Sequence, residues 1–147
     1  MQRNSGILMP VFSLPSKYGI GDFGSGAYNF IDNLKASGQK YWQVLPLVQT
    51  GLGNSPYSSV SGESISPYFI SPEILVDKGL CTEEEISLSI SDSKTVDYGF
   101  LYTVRFPLLK KAFERFDKSN KAFQKFLKDK KAYDYALYTA IKEASKE

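Results

Sequence analysis

The sequence predicts an α/β fold that begins with two parallel strands and one helix and continues as a mostly helical region. Two short apolar runs, residues 7–12 and 41–45, are typical of strands covered on both faces. Between these runs, apolar residues recur at helical spacing, and residues 105–131 hold ten Lys or Arg against three Asp or Glu. These observations place strands and loops in the first part of the chain and helices in the second.

The first strand is predicted over residues 7–12, and a helix and a second strand follow it. Pro10 has no backbone N–H for a neighbouring strand, so we expect it near a strand end or a bulge. The helix is predicted between a cap at Ser25 and a stop at Gly38. Its apolar face consists of Ala27, Phe30, Ile31 and Leu34. The second strand, residues 41–45, ends at Pro46, and the βαβ order predicts parallel strands with a right-handed crossover.

Two loops leave the same end of this sheet. Residues 13–24 follow the first strand, and residues 48–66, which are rich in glycine and serine, follow the second. A loop as long as the second is usually functional or disordered. Ligands of parallel α/β folds bind at the carboxyl ends of the strands, so we expect a binding site at these two loops.

The rest of the chain is predicted to be helical. Residues 82–85 (TEEE) form a capping-box pattern, and Pro107 requires either a helix start or a kink. Three apolar helix faces are predicted: Leu108, Leu109, Ala112, Phe113 and Phe116; then Phe123, Phe126 and Leu127; then Tyr133, Leu137, Ala140, Ile141 and Ala144. Two buried parallel strands cannot complete a sheet, so we expect this chain to be a piece of a larger α/β protein or to take partner strands from elsewhere.

The composition excludes several kinds of site. The 147 residues contain no histidine and a single cysteine, Cys81, which excludes a histidine-based triad, a Cys/His zinc site and an internal disulfide. We therefore expect no metal and no cofactor. The apolar run near the start lacks a cleavage pattern and is too short to span a membrane, so the expected location is the cytoplasm, without a membrane partner.

Two motifs allow other interpretations. Residues 19–24 (GIGDFG) match a dinucleotide-binding GxGxxG pattern, but the spacing from the strand and the lack of an acid after the second strand argue against it. The basic stretch 105–131, with its interleaved phenylalanines, could bind nucleic acid. Because those aromatics sit at core-facing helical spacings, amphipathic helices with a solvated lysine face are favoured, and no nucleic-acid partner is expected.

The loop segment 53–58 (GNSPYS) presents a tyrosine. Pro56 restricts the chain, so Tyr57 is held in place, and its flat apolar ring with a terminal hydroxyl suits a sugar. On chemistry alone, an anchor for the loop is favoured over a ligand contact. Glycoside chemistry needs two facing carboxyls, but Asp22 fits a loop or helix start, Asp32 an exposed helix face and Glu63 an exposed loop. The residues therefore offer no catalytic pair.

Four ordered motifs closely resemble the opening of the 4-α-glucanotransferases of glycoside hydrolase family 77. The motifs are residues 5–16 (SGILMPVFSLPS), 18–24 (YGIGDFG), 38–47 (GQKYWQVLPL) and 50–57 (TGLGNSPY). The resemblance implies a (β/α)₈ barrel, of which this chain supplies the first two strands and the first helix. Residues 1–66 would begin the barrel and residues 67–147 would form a helical insertion. The remaining barrel strands of the same protein are then an expected partner.

The resemblance also implies retaining transfer of an α-1,4-glucan chain to the 4-hydroxyl of another glucan or of glucose, in the full-length enzyme. The nucleophile and acid/base would lie on later strands, so no catalytic residue is expected in this chain. Tyr57, Ser55 and Asn54 are the expected contacts with maltooligosaccharide. Residues 61–67 and Leu52 depart from the family pattern, Leu52 standing where some relatives carry a tyrosine of a second glucan site. A stand-alone glucan-binding module or an inactive remnant is the alternative.

Overall fold

The computed structural model describes residues 3–51, 53–59, 61–91 and 93–145. Within these ranges, two strands are followed by a mainly helical region, with 3₁₀ turns at Val11–Ser13 and Pro67–Phe69. The strands and helices are β1 (Gly6–Leu8), α1 (Ser25–Ala36), β2 (Tyr41–Gln43), α2 (Pro72–Asp77), α3 (Glu83–Ser87), α4 (Tyr98–Arg115), α5 (Lys121–Phe126) and α6 (Lys130–Ser145). The order strand, helix, strand, helices agrees with the sequence prediction.

The two strands are parallel, as predicted, but they are shorter than predicted and are not buried. β1 pairs with β2 in a register that sets Ile7 opposite Trp42. The Met9 amide still donates to the Gln43 carbonyl at 3.0 Å. Pro10 then ends the ladder because it has no N–H, and the chain turns into the 3₁₀ helix. Ile7 is 40% exposed and Leu8 is 54% exposed. Within the described residues the strands are not covered on both faces as predicted, because only the side that carries Trp42 packs against a core cluster.

Helix α1 ends as predicted, but its N-cap lies one residue before the predicted one. Gly24 is the N-cap and Ser25 is the first helical residue, so the predicted cap at Ser25 is wrong. A Cβ on Gly24 would lie 2.3 Å from the Ser71 hydroxyl, which explains why the chain has glycine there. At the other end Gly38 has φ +73°, and the Gln39 amide donates to the Leu34 carbonyl at 2.9 Å. This is a Schellman ending, which needs the left-handed conformation of Gly38.

The core is divided into two apolar clusters. One lies under the strands and α1 and consists of Val11, Leu14, Ala27 and Phe69, with Trp42 and Phe30 packed against it. The other lies among the helices and consists of Tyr18, Leu75, Cys81, Ile86, Leu108 and Ala112. Tyr18, from the loop after β1, thus belongs to the helical cluster and joins the two halves.

The predictions for the helical region are confirmed at some residues and wrong at others. The capping box at Thr82 and Glu85 is confirmed, and α4 runs through Pro107 without ending there. Of the predicted α4 face, Leu108 and Ala112 are buried, but Phe113 is exposed.

The predicted apolar face of α6 is not buried. Its residues Tyr133, Leu137 and Ile141 are exposed. Among the residues that the structure places, none covers that side of the helix. Instead, the Tyr135 hydroxyl bonds to the Gln49 Oε1 at 2.5 Å, so a different side of α6 meets the loop after β2.

Candidate functional site

The segment after β2, residues 48–66, is called here the tyrosine loop. It is not a structureless connection, because Val48 bridges Ile65 and Thr50 bridges Ser59 in antiparallel fashion. Its base is closed by the Ser66 amide, which donates to the Leu47 carbonyl at 2.8 Å. Nearer the tip the Gly51 amide donates to the Ser58 carbonyl at 2.7 Å. The tyrosine loop is therefore a paired arm with a short turn at its end.

The turn at the tip holds all three residues predicted to bind sugar. Asn54 has φ +55°, a left-handed conformation that asparagine tolerates better than most residues. The Ser58 amide then donates to the Ser55 carbonyl at 3.0 Å, which closes a β-turn with Pro56 and Tyr57 in its centre. The Ser55 hydroxyl accepts from the Tyr57 amide at 3.3 Å. Asn54, Ser55 and Tyr57 thus lie within four consecutive residues of an ordered turn.

Among the described residues of the tyrosine loop, Tyr57 is the most exposed large apolar residue. Its side chain is 76% exposed, whereas Pro56 is half-buried. Pro56 and Asn54 line a narrow crevice against the rest of the protein, with Phe12, Ile20, Tyr68 and Phe69. Pro56 therefore anchors the loop and Tyr57 does not, so the preference for Tyr57 as an anchor is wrong. The proline places its own ring on the protein, and the next residue of the turn points outward.

The crevice also shows how the two loops meet. Phe12 and Ile20 come from the 3₁₀ turn and loop after β1, while Pro56 and Asn54 come from the tyrosine loop. The predicted proximity of these two loops is thereby confirmed. Both loops of the site are held by backbone hydrogen bonds. In the loop after β1, for example, the Gly21 amide donates to the Phe12 carbonyl at 3.1 Å.

The three candidate carboxylates differ in burial and in their partners. Asp22 is 6% exposed and its Oδ1 accepts from the Gly24 amide at 2.8 Å, so it sits at the start of α1 as predicted. Burial raises the pKa of Asp22, and the Gly24 amide and the nearby Arg105 oppose that rise. Asp32 is exposed, and Glu63 is an exposed loop acid, both as predicted. Glu63 pairs with Lys131 of α6 at 2.5 Å.

The basic stretch is partly neutralised and partly buried. Arg115 and Lys111 both pair with Glu85, and Phe113 and Phe116 each pack edge-on against Phe123. These contacts support the amphipathic-helix interpretation in part, but the core-facing placement of Phe113 and Phe126 is wrong because both are exposed.

Arg105 is the functional candidate that sequence reasoning missed. The pattern of the basic stretch predicts a solvated cation at this position, yet Arg105 is 0% exposed. Its spacing from Leu101 and Leu108, four and three residues away, places it on the buried face of α4 and is the signal that could have found it.

The described residues contain neither a metal-binding cluster nor a membrane-spanning helix. No cluster of three or more Cys, Asp or Glu suited to a metal ion occurs among residues 3–51, 53–59, 61–91 and 93–145. The helices placed by the structure are all too short or too polar to cross a bilayer. Leu52, where the sequence departs from the family pattern at a second glucan site, lies outside the described residues.

Comparison with known proteins gives consistent results. A family profile described as 4-alpha-glucanotransferase matches residues 9–147. A 4-alpha-glucanotransferase of Streptococcus pneumoniae is 46% identical over 117 residues, which cover 78% of this chain and 23% of that protein. A 4-alpha-glucanotransferase of Clostridium butyricum is 43% identical over 139 residues, which cover 91% of this chain and 28% of that protein.

A solved structure is also similar. The amylomaltase from Streptococcus agalactiae in complex with acarbose matches with a TM-score of 0.85 and 36% identity, over 97% of this chain and 30% of that one. The chain thus spans only about a quarter to three tenths of the length of these relatives.

Proposed function

Because the chain belongs to the family of 4-α-glucanotransferases, glycoside hydrolase family 77, we propose that it is the sugar-binding opening part of such an enzyme. The proposed reaction of the whole protein is retaining transfer of an α-1,4-glucan chain to the 4-hydroxyl of an acceptor glucan or glucose. The observation that carries this proposal is the match of residues 9–147 to the family, together with a fold likeness over 97% of the chain.

We further propose that β1, α1 and β2 begin a (β/α)₈ barrel. Residues 1–66 would form this beginning and residues 67–147 a helical insertion. The exposed faces of Ile7 and Leu8 support the idea, since parallel strands of barrels are normally covered on both sides. The remaining strands of the same protein are the partner that would cover them.

In this proposal the chain contributes substrate binding and no catalytic group. Retaining glycoside chemistry uses two carboxyl groups about 5 Å apart, one as nucleophile and one as acid/base. Asp22 accepts a hydrogen bond at the start of α1 and Glu63 forms an ion pair with Lys131, so both carboxylates have a structural partner. The exposed ring of Tyr57 offers a flat surface and a hydroxyl to a glucose unit. Ser55 and Asn54 supply polar atoms beside it.

A stand-alone glucan-binding module is the second candidate. One observation favours it: the turn carrying Tyr57 is ordered by hydrogen bonds within the chain itself. Such a module would bind maltooligosaccharide without the missing strands and would catalyse no transfer.

The test is a chimeric enzyme in which this chain replaces the matching part of the Streptococcus pneumoniae relative. Supplied with maltotriose, the chimera should release glucose and form longer maltooligosaccharides, while the 147-residue chain alone should do neither. Tyr57→Ala in the chimera should reduce kcat/KM by about twofold to tenfold, since a stacked aromatic contact is worth about 0.5–1.5 kcal/mol. Tyr57→Phe is the matched control that keeps the ring.

The outcomes separate the two candidates. Turnover by the chain alone would contradict the assignment of catalysis to other parts of the enzyme. An inactive but folded chimera, combined with maltooligosaccharide binding by the isolated chain that Tyr57→Ala abolishes, would favour the binding module.

A further inference from the structure

Arg105 lies in the middle of α4 with no exposed surface, and each hydrogen bond that its guanidinium makes to the described residues goes to a backbone carbonyl. Nη1 donates to the Ile70 carbonyl at 2.7 Å and to the Tyr68 carbonyl at 3.4 Å, while Nη2 donates to the Tyr18 carbonyl at 3.2 Å. One side chain of the helical region therefore holds two separate segments, the loop after β1 and the stretch that follows the tyrosine loop.

The segment held by Arg105 is the floor of the tyrosine loop. Tyr68 and Phe69 line the crevice in which Asn54 and Pro56 rest. Just before them, Ser66 closes the base of the loop through its bond to the Leu47 carbonyl, 2.8 Å long. Ile20, two residues after the Tyr18 carbonyl, lines the same crevice from the other side. Both walls that support Pro56 are thus tied to one guanidinium.

Burial lowers the pKa of Arg105, and the nearby Asp22 only partly offsets this effect. A buried cation carries a large desolvation cost, and well-packed apolar side chains of similar volume often serve equally well. What a planar guanidinium adds is direction, because its donors lie in a fixed fork and fix the relative places of the carbonyls they reach.

We propose that Arg105 is a positioning residue for the sugar-binding turn: by fixing the Tyr18, Tyr68 and Ile70 carbonyls, it sets the crevice that seats Pro56 and so aims Tyr57. This inference rests on the proposed function for its link to glucan, but its structural part concerns this chain alone. Arg105 touches no substrate, so it acts on binding only through the loop.

The structural part is tested by hydrogen–deuterium exchange of the 147-residue chain, read by mass spectrometry on peptides from residues 48–66. Arg105→Met, which keeps an unbranched apolar stem and removes every donor, should speed exchange in the tyrosine loop by about tenfold. Arg105→Lys keeps the charge and three donors without the planar fork, and should speed it by about threefold. Leu108→Ala, buried on the same helix but bonded to none of these carbonyls, is the control for general destabilisation and should leave the ratio of loop to α4 exchange unchanged.

The functional part is tested in the chimeric transferase with maltotriose. A misaimed Tyr57 weakens binding, so Arg105→Met should raise KM about fivefold with kcat within about twofold of the parent, and Arg105→Lys should restore part of the loss. A purely structural role would lower the amount of active enzyme and leave KM unchanged.

Each result decides something definite. Loop exchange equal to wild type in the folded Arg105 variants overturns the proposal; if Arg105→Met does not fold, the Arg105→Lys measurement decides alone. An inactive parent chimera counts against the proposed function and not against the positioning role, because the exchange experiment needs no activity. Faster loop exchange with an unchanged KM in an active chimera overturns the link to binding.

Discussion

Asn54 combines two roles that substitution can separate. Its φ of +55° places the tip of the tyrosine loop in the left-handed region, directly after Gly53 at φ +85°. Its exposed side chain is also a proposed glucan contact. Asparagine and glycine tolerate this conformation, whereas alanine does so at a cost of about 1 kcal/mol.

We therefore expect Asn54→Gly to leave the free energy of unfolding nearly unchanged and Asn54→Ala to lower it by about 1 kcal/mol, measured by urea denaturation of the chain. If the side chain contacts glucan, both variants should raise KM in the chimera, because both lack the amide. Retention of the parental KM by Asn54→Gly would show that only the backbone conformation matters and would remove Asn54 from the binding residues.

Helices α3 and α4 are joined by one carboxylate. Glu85 receives both arms of the Arg115 guanidinium, at 2.5 and 2.8 Å, and its Oε2 also accepts from the Thr82 amide at 3.0 Å. Lys111 lies 3.4 Å away. The Arg115 hydrogen bond, with help from the Thr82 amide and Lys111, lowers the pKa of Glu85 from 4.5 to about 2.

A lowered pKa has a definite consequence for stability. The folded chain binds the Glu85 proton less readily than the unfolded chain, so the stabilisation is present above pH 4.5 and is lost as the pH falls from 4.5 to about 2. Glu85→Gln keeps the capping-box acceptor and removes the charge. We expect the wild type to be more stable than Glu85→Gln at pH 6, and the difference to vanish near pH 2, as measured by thermal unfolding at a series of pH values. A difference that stays constant across this range would contradict the ion-pair account.

Elements with local signals could be predicted from the sequence, and elements defined by distant contacts could not. The end of α1 at Gly38 and the capping box at Thr82 depend on a few neighbouring residues, and both predictions are confirmed. The burial of β1 and of the α6 face depends on what covers them, which a pattern of apolar residues does not reveal. In the same way, the turn at Tyr57 was predictable from Pro56, whereas the burial of Arg105 depends on carbonyls up to 87 residues away in sequence.

At the scale of the whole molecule, apolar surface is unevenly distributed. The two core clusters are well covered, yet Ile7, Leu8 and Tyr41 on the strands and Leu137 and Ile141 on α6 are exposed. Contiguous exposed apolar surface and open strand edges mark places where protein normally packs. In the proposed enzyme, the remaining barrel strands would cover the sheet side.

This distribution predicts how the isolated chain behaves in solution. We expect concentration-dependent self-association through the open edges of β1 and β2, visible as a rising mass in size-exclusion chromatography with light scattering. Leu8→Lys places a charge on the exposed strand and should shift the chain toward monomer, because edge lysines oppose strand pairing. Lys35→Arg, a charge-preserving change in the last turn of α1, is the matched control and should associate like the wild type. A wild-type chain that remains monomeric at high concentration would show that these strands need no cover, which would favour the stand-alone module over a part of a barrel.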